Sequence, residues 1–190
     1  MRLFVGVRID SEVVRAIARF SDRLKEQIER QAPAARITWV NEDQVHITVR
    51  FIGQLDDAQC SGIQEALEPS IRVQPFTVLV AGAGAFPPRG APRVLWAGIT
   101  EGRDALAALE QEVSARVASC GVERDDRPYN PHITLARVRE PSGLRTRALF
   151  KEDATRPFGA WRVDAITLFE SRPSPRGHQY VALQTTPLAP

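Results

Sequence analysis

Hydrophobic and polar residues show two kinds of periodicity along the 190-residue chain, one typical of helices and one typical of strands. Apolar residues that recur every three or four positions predict amphipathic helices over 11–32 and 100–120. Short alternating or continuous apolar runs predict strands at 3–9, 37–40, 46–52, 76–80, 94–99, 132–138, 161–169 and 180–184. Shorter helices are expected at about 57–67 and 142–150.

Polar and glycine residues mark the ends of the two long helices. Asp10 and Ser11 are typical of a helix N-terminus, and Pro33 ends that helix. Thr100 is expected to cap the other long helix, and Gly121 stands where a C-terminal glycine is favoured. The segment 81–92, rich in Gly, Ala and Pro, is predicted to be a loop.

The order of the elements repeats along the chain. Each half contains a strand, a long helix, a strand that opens with histidine, a second helix and a further strand. We therefore predict one domain, 1–190, made of two pseudo-symmetric halves at about 1–85 and 92–190. Each half alone would have a small core, so the segment between them is not expected to be a linker between independent domains.

Composition excludes several classes of protein. A hydrophobic fraction of 43%, a charged fraction of 25% and a net charge of +2 are typical of a globular protein and not of a polycationic tail. Two distant cysteines do not suggest a disulfide framework or a zinc site. No signal peptide and no apolar stretch of membrane-spanning length is evident, so we expect a cytoplasmic protein without a membrane partner. Arginine provides nearly all the positive charge, which suits an anionic ligand but also follows from GC-rich coding.

Two of the three histidines begin the same short sequence. His46 begins His-Ile-Thr-Val, and His132 begins His-Ile-Thr-Leu. On a strand, residues two apart share a face, so each histidine lies beside its threonine, Thr48 or Thr134. One such motif would be typical of packing, whereas two copies in matching strands indicate a shared site.

The paired motifs suit acid–base chemistry on a phosphate. Of two imidazoles with ordinary pKa values near 6.5, one can take a proton from water while the other gives one to a leaving oxygen. A cyclic phosphodiester needs both transfers, and threonine hydroxyls can bind its non-bridging oxygens. The scheme requires no metal or other cofactor. A metal site is a weaker alternative because the nearest acidic residue, Asp43, precedes the strand and no third ligand has a fitting spacing.

The segments around the motifs resemble a known family. HITVRF (46–51) and PHITLAR (131–137) are similar to the signature of the two-histidine (2H) phosphoesterases. The chain looks in particular like the bacterial RNA 2′,3′-cyclic phosphodiesterases, also described as 2′-5′ RNA ligases. The likeness extends, in the order of the family, to LFVGVRI (3–9), RVLWAGI (93–99), RPYNPHITLAR (127–137) and LFES (168–171).

The resemblance implies a fold and a reaction. The fold would be α+β and bilobal, with two antiparallel sheets facing a central cleft and helices on the outer faces. The reaction would open a 2′,3′-cyclic phosphate at an RNA end and leave a 2′-phosphate, with that RNA as partner. Apart from the resemblance, we expect a monomer with no obligate protein partner. His46 would be the general acid for the 3′-oxygen and His132 the general base for water, although the residues alone leave this order open.

Two arginines are candidate substrate-binding residues. Arg137 matches a family arginine that contacts the phosphate, but strict alternation points it away from His132, so it must act from the strand end or beyond a β-bulge. Arg50 shares the His46 face by spacing and also matches a common family residue.

Other residues near the motifs have less specific roles. His178, in a turn-rich basic loop, is expected at the surface, although that loop could line the cleft. Any one of four aromatic residues could stack on a base, although each is individually more typical of packing: Trp39, Phe51, Phe86 and Tyr129.

Alternative functions remain open. They are a related cyclic phosphodiesterase acting on another nucleotide, a reversible 2′-5′ RNA ligase, and a non-catalytic module that binds RNA ends. Neither Lys25 nor Lys151 has the setting of a nucleotidylated lysine, which disfavours an ATP-driven ligase. Intact histidine and threonine in both motifs disfavour a module that only binds.

Overall fold

The computed structural model describes residues 1–123, 125, 127–174 and 177–189. Its strands are β1 (Arg2–Arg8), β2 (Arg36–Trp39), β3 (His46–Gln54), β4 (Phe76–Phe86), β5 (Val94–Glu101), β6 (His132–Glu140), β7 (Pro157–Val163), β8 (Ala165–Ser174) and β9 (Gly177–Pro187). Its helices are α1 (Ser11–Gln31), α2 (Asp57–Leu67), α3 (Arg103–Ala118) and α4 (Thr146–Leu149), with a single 3-10 turn at Glu42–Gln44.

The nine strands of the described residues form one sheet in the order β7-β4-β5-β6-β3-β1-β8-β9, with β2 added beside β6. Every pair of neighbouring strands is antiparallel. The predicted α+β class is confirmed. The two groups of strands expected as separate sheets are joined where β3 meets β6, at the single pair Ile47–Ile133.

The strand order is similar on the two sides of the Ile47–Ile133 pair. On each side of the Ile47–Ile133 pair, a motif strand is followed by the strand that leads into a long helix: β1 precedes α1, and β5 precedes α3. Strand β4 pairs with β5, while β8 pairs with β1 and β9 pairs with β8. Each half of the sheet therefore combines strands from both ends of the chain, and the internal duplication itself stays a prediction.

Apolar helix faces form the core with the sheet. Asp10 caps α1 by accepting a 2.8 Å hydrogen bond from the Glu12 backbone N–H, as predicted. The periodic apolar residues of the two long helices are buried as the pattern predicted: Val13, Ile17, Phe20, Leu24 and Ile28 in α1, and Leu106, Leu109, Val113 and Val117 in α3. They belong to one cluster of buried residues, so a single core supports both motif strands.

Three boundary predictions were wrong. Strand β4 continues through Phe86, so residues 81–86 are not a loop. Thr100 lies inside β5, and α3 begins after Gly102, whose φ of +81° is available to glycine at little cost. The run 161–169 contains parts of two strands, β7 and β8, instead of one.

Glycines explain how β4 and β5 can lie so close together in this part of the sheet. A Cβ atom at Gly84 would lie only 2.6 Å from Cζ2 of Trp96, and one at Gly98 would lie 2.8 Å from the Ala81 carbonyl oxygen. The absence of side chains at these positions lets the Trp96 ring lie over the strands. No helix among the described residues is long and apolar enough to cross a membrane.

Candidate active site

The two motifs meet at the point where the halves of the sheet join. Ile47 pairs with Ile133, and both isoleucines are fully buried on the core side. In an antiparallel pair, the residues on either side of this contact point to the opposite face, so His46 lies opposite Thr134, Thr48 lies opposite His132, and the two histidines lie diagonally across from one another. The structure therefore brings together four predicted site residues on one face: His46, Thr48, His132 and Thr134.

Both imidazole rings are held by equivalent backbone hydrogen bonds. Nδ1 of His46 lies 2.7 Å from the carbonyl oxygen of Gln44, and Nδ1 of His132 lies 2.8 Å from that of Asn130. Because a carbonyl oxygen can only accept, each Nδ1 carries the proton and each Nε2 is the working nitrogen. The carbonyl two residues before each histidine thus fixes its tautomer.

The hydroxyl of Thr48 completes the environment of the first imidazole. Thr48 Oγ1 lies 3.0 Å from Nε2 of His46 and donates to it when the ring is neutral. A phosphate oxygen that entered the site could take this hydroxyl as a donor and leave Nε2 free to exchange a proton. The hydroxyl can therefore donate to Nε2 of His46 before a substrate binds and to a phosphate oxygen afterwards.

Burial lowers the pKa of both histidines below the ordinary value. For His46 and His132 alike, desolvation is the largest cause, the backbone carbonyl opposes it, and the positive charge of Arg137 lowers the pKa further. His132 adds a smaller lowering of the His46 pKa. Both rings are consequently biased towards the neutral form until a negative charge enters the cleft.

Aromatic side chains form the walls around the imidazoles. The ring centroid of His46 lies 4.8 Å from that of Phe4 and 5.2 Å from that of Tyr180, which stands at 88° to it. His132 meets the ring of Phe86 at 5.1 Å and 83°. These contacts restrict the imidazole rotamers and exclude water from one side of each ring.

A β-bulge follows the threonine in each motif strand. In the pairing of β1 with β3 the register skips Val49, and in the pairing of β5 with β6 it skips Leu135. The extra residue reverses the alternation of faces beyond it. Arg137, which needed such a bulge to share the His132 face, is exposed and close enough to lower the pKa of both histidines.

The bulge at Val49 also shows that the predicted position of Arg50, on the His46 face, was wrong. Skipping Val49 turns Arg50 to the core side, where only 6% of its surface is exposed. Its guanidinium lies 3.7 Å from a Glu110 carboxylate oxygen on α3 and donates to the backbone carbonyl of Glu123. Arg50 therefore does not share the His46 face, and its predicted contact with substrate has no support in this geometry.

Sequence reasoning missed a contact that ties the two motifs together. The Tyr129 hydroxyl donates a 2.9 Å hydrogen bond to the backbone carbonyl of Thr48. Burial raises the pKa of this phenol well above its usual value, so the hydroxyl keeps its proton. Tyr129 was considered for base stacking, but its ring is half-buried and its hydroxyl is hydrogen-bonded to β3.

The other side chains considered for the site lie outside the four-residue cluster. His178 is exposed, as expected, and its Nδ1 lies 3.0 Å from the Ser171 hydroxyl. Its backbone carbonyl accepts a hydrogen bond from the Gln44 side chain, which connects β9 to the segment before His46. Trp39 lies under the ammonium group of Lys25, 5.4 Å from the ring centroid. Among the described residues, no group of three or more His, Cys, Asp or Glu side chains is arranged to hold a metal ion.

Comparison with known proteins assigns the family. The model of the 2′-5′ RNA ligase superfamily matches residues 13–174. The chain belongs to this superfamily. An RNA 2′,3′-cyclic phosphodiesterase of Aquifex aeolicus is 29% identical over 97% of this chain and 95% of its own length. Another, of Geobacillus stearothermophilus, is 36% identical over 70% of this chain, a match that spans 41% of that relative's length.

Solved structures of two other proteins share the fold. The protein TT0787 of Thermus thermophilus superimposes with a TM-score of 0.78, at 27% identity and with 99% of this chain and 98% of that chain covered. Escherichia coli LigT, solved in complex with 3′-AMP, has a TM-score of 0.76 at 23% identity and covers 100% of this chain and 98% of its own. The likeness to LigT supports the architecture.

Proposed function

We propose that this protein hydrolyses the 2′,3′-cyclic phosphate at RNA or oligonucleotide ends and leaves a 2′-phosphate. The observation that carries the proposal is the cluster around the Ile47–Ile133 pair, where two histidines with matched Nδ1 hydrogen bonds share one face with two threonines. The names of the superfamily relatives support the same reaction. An RNA end is therefore the partner that we infer.

The proposed reaction is one in-line displacement at phosphorus. Nε2 of His132 takes a proton from a water molecule whose oxygen attacks the phosphorus atom. The bond from phosphorus to the 3′-oxygen breaks, and Nε2 of His46 donates its proton to that oxygen. The bond to the 2′-oxygen stays intact. Proton exchange with solvent then returns both imidazoles to their starting states.

The remaining polar groups would bind the phosphate. Thr48 and Thr134 lie beside the two histidines, and their hydroxyls can donate to non-bridging oxygens as negative charge develops there. Arg137 supplies positive charge on the same face, and its planar group suits a pair of phosphate oxygens. The same negative charge would raise the lowered pKa of His46 and so allow the acid to be protonated.

The decisive experiment uses a short RNA with a 2′,3′-cyclic phosphate and asks which hydroxyl keeps the phosphate. We expect a 2′-phosphate product, unchanged in yield by EDTA. His46→Ala and His132→Ala should each abolish turnover, whereas His178→Ala, the matched histidine control, should retain it. Turnover by either motif variant at the wild-type rate would rule out the two-histidine mechanism.

The same assay separates the alternatives. A 2′-5′ RNA ligase would join a cyclic-phosphate end to an RNA bearing a free 5′-hydroxyl in the absence of ATP. A module that only binds RNA ends would retain the labelled RNA without converting it. A phosphodiesterase for another nucleotide would leave the RNA intact and hydrolyse small cyclic phosphates. A cytoplasmic, monomeric protein remains our expectation from the sequence.

A further inference from the structure

Strand β1 ends in an arginine that lies directly across from the first motif histidine. In the pairing of β1 with β3, Arg8 is opposite His46, and Gly6 is opposite Thr48. Residues that are directly opposite in an antiparallel pair point to the same face of the sheet. Arg8 therefore lies on the face of the four-residue cluster, and its side chain is exposed there.

Gly6 leaves room on this face between His46 and its neighbour Phe169. A Cβ atom at Gly6 would lie 3.4 Å from Cδ2 of His46 and 3.5 Å from Cε2 of Phe169, so the position faces the gap between the two rings. The corresponding position of β5, opposite Thr134, is occupied by Trp96. A group attached to a phosphate in the cleft consequently has more room above β1 than above β5.

The guanidinium of Arg8 lies on the far side of this gap. Its central carbon is 5.5 Å from the ring centroid of Phe169, and that centroid is 6.2 Å from the centroid of the His46 ring. These two contacts span a distance comparable with one nucleotide. Among the described residues Arg8 forms no salt bridge, and the contact with the Phe169 ring uses none of its N–H donors. An anion from solution can therefore take them.

We propose that Arg8 binds the phosphate on the 5′ side of the terminal nucleotide and so makes the site selective for the end of an RNA chain over a lone cyclic nucleotide. The proposal rests on the proposed function. With the cyclic phosphate between His46 and His132, the ribose extends over Gly6 and brings its 5′-phosphate to Arg8, whose planar donors match two phosphate oxygens. One such contact needs no extended basic surface, in agreement with the net charge of +2.

The test uses a diadenosine dinucleotide that ends in a 2′,3′-cyclic phosphate, in two forms. One form has the natural phosphodiester between the nucleosides, and the other has an uncharged methylphosphonate there. The wild-type protein should have the lower KM for the natural form. Arg8→Ala should raise that KM about tenfold, as expected for one lost charged hydrogen-bonded contact, with kcat nearly unchanged and no change for the methylphosphonate. Arg2→Ala, an exposed arginine about 20 Å away at the other end of β1, is the matched control.

Two results would overturn the proposal. One is a wild-type protein that does not distinguish the two dinucleotides, and the other is an equal loss on both of them in Arg8→Ala, which would assign Arg8 to the base or to the fold. Calorimetric binding of the corresponding dinucleotides with a terminal 2′-phosphate is an independent readout. If the wild-type protein hydrolyses neither substrate, the proposed function fails. A loss of binding in Arg8→Ala that is confined to the phosphodiester form would still support the contact, and its absence would overturn the contact as well.

Discussion

The hydroxyl of Tyr129 and the backbone carbonyl of Thr48, separated by 81 positions in sequence, are joined by a 2.9 Å hydrogen bond. This bond runs from the segment before β6 to the middle of β3 and adds a second link beside the Ile47–Ile133 pair. The relative position of the two motifs therefore depends on a side chain that belongs to neither.

Removing that hydroxyl should weaken both the fold and the reaction. Tyr129→Phe leaves the Thr48 carbonyl without its donor, and we expect a loss of about 1 kcal/mol in unfolding free energy. We also expect a lower kcat, because the spacing of the histidines is less well defined. Urea unfolding and single-turnover rates measure the two effects. Wild-type values for both would show that the backbone pairing alone positions the motifs.

A sulfur-substituted substrate can decide which histidine is the acid. When the 3′-oxygen of the cyclic phosphate is replaced by sulfur, the leaving thiolate needs little protonation. His46→Ala should then recover much of the activity that it loses on the oxygen substrate, whereas His132→Ala should stay inactive. Single-turnover rates on the paired substrates provide the measurement. The opposite pattern would exchange the two roles.

The lowered histidine pKa values predict how an anion binds. Because burial disfavours the charged imidazoles, the empty cleft binds fewer protons than the unfolded chain near pH 6. An anion reverses this preference, so binding should be accompanied by proton uptake and should strengthen as the pH falls from about 8 to about 6. Sulfate, which does not titrate in this range, is a suitable probe in calorimetry with buffers of different ionisation enthalpy.

The same pKa directions determine the pH dependence of stability. A histidine whose pKa is lowered on folding contributes stability that is present above its unfolded pKa, near 6.5, and is lost as the pH falls through the folded value. Replacing both His46 and His132 by Gln should therefore flatten the loss of stability on the acid side. Urea unfolding at several pH values measures the slope, and an unchanged slope would contradict the assignment.

Arginine geometry should matter at position 137. Arg137→Lys keeps the positive charge but loses the planar pair of donors, and we expect kcat/KM to fall about tenfold. Arg137→Ala should cost about a hundredfold or more. Arg162→Ala, an exposed arginine on the edge strand β7, is the matched control and should have little effect. Equal losses of kcat/KM in the lysine and alanine variants would show that a positive charge without the planar pair of donors does not support the reaction.

Arg50 should behave in the opposite way. Its buried guanidinium is paired with Glu110, so Arg50→Ala leaves a half-buried carboxylate without its cation and should lower the unfolding free energy by about 3 kcal/mol. The folded fraction should retain the wild-type KM because the side chain points away from the histidines. Urea unfolding and steady-state kinetics at low temperature separate the two effects. A raised KM without loss of stability would return Arg50 to the substrate site.

Local patterns were sufficient to predict the two long helices, most of the strands and the shared face of the four motif residues. The apolar spacing that located α1 and α3 reflects burial against one core, and the alternation in His-Ile-Thr gave the correct face for both motifs. Strict alternation then failed at Val49 and Leu135, since a β-bulge depends on the partner strand and leaves no clear mark in a single sequence. Arg50 was misplaced for this reason.

Other differences also arise from contacts between distant segments. The small residues of 81–86 indicate a loop when considered alone, but Gly84 is needed to accommodate the Trp96 ring within β4 and β5. The Tyr129 hydrogen bond likewise joins residues that no local pattern connects. Exposure of Phe51 could not be predicted because a hydrophobic residue in a strand is normally assigned to the core.

The strand order has a consequence for fragments of this protein. A cut in the turn between β4 and β5 would leave β4 without its neighbours β5 and β7, and would leave β8 and β9 without β1. Neither fragment would contain a complete half of the sheet, and each would hold one motif histidine on a strand without the other motif strand beside it. Each half of the sheet needs strands from both halves of the chain. The two imidazoles are therefore brought together only when the whole chain folds.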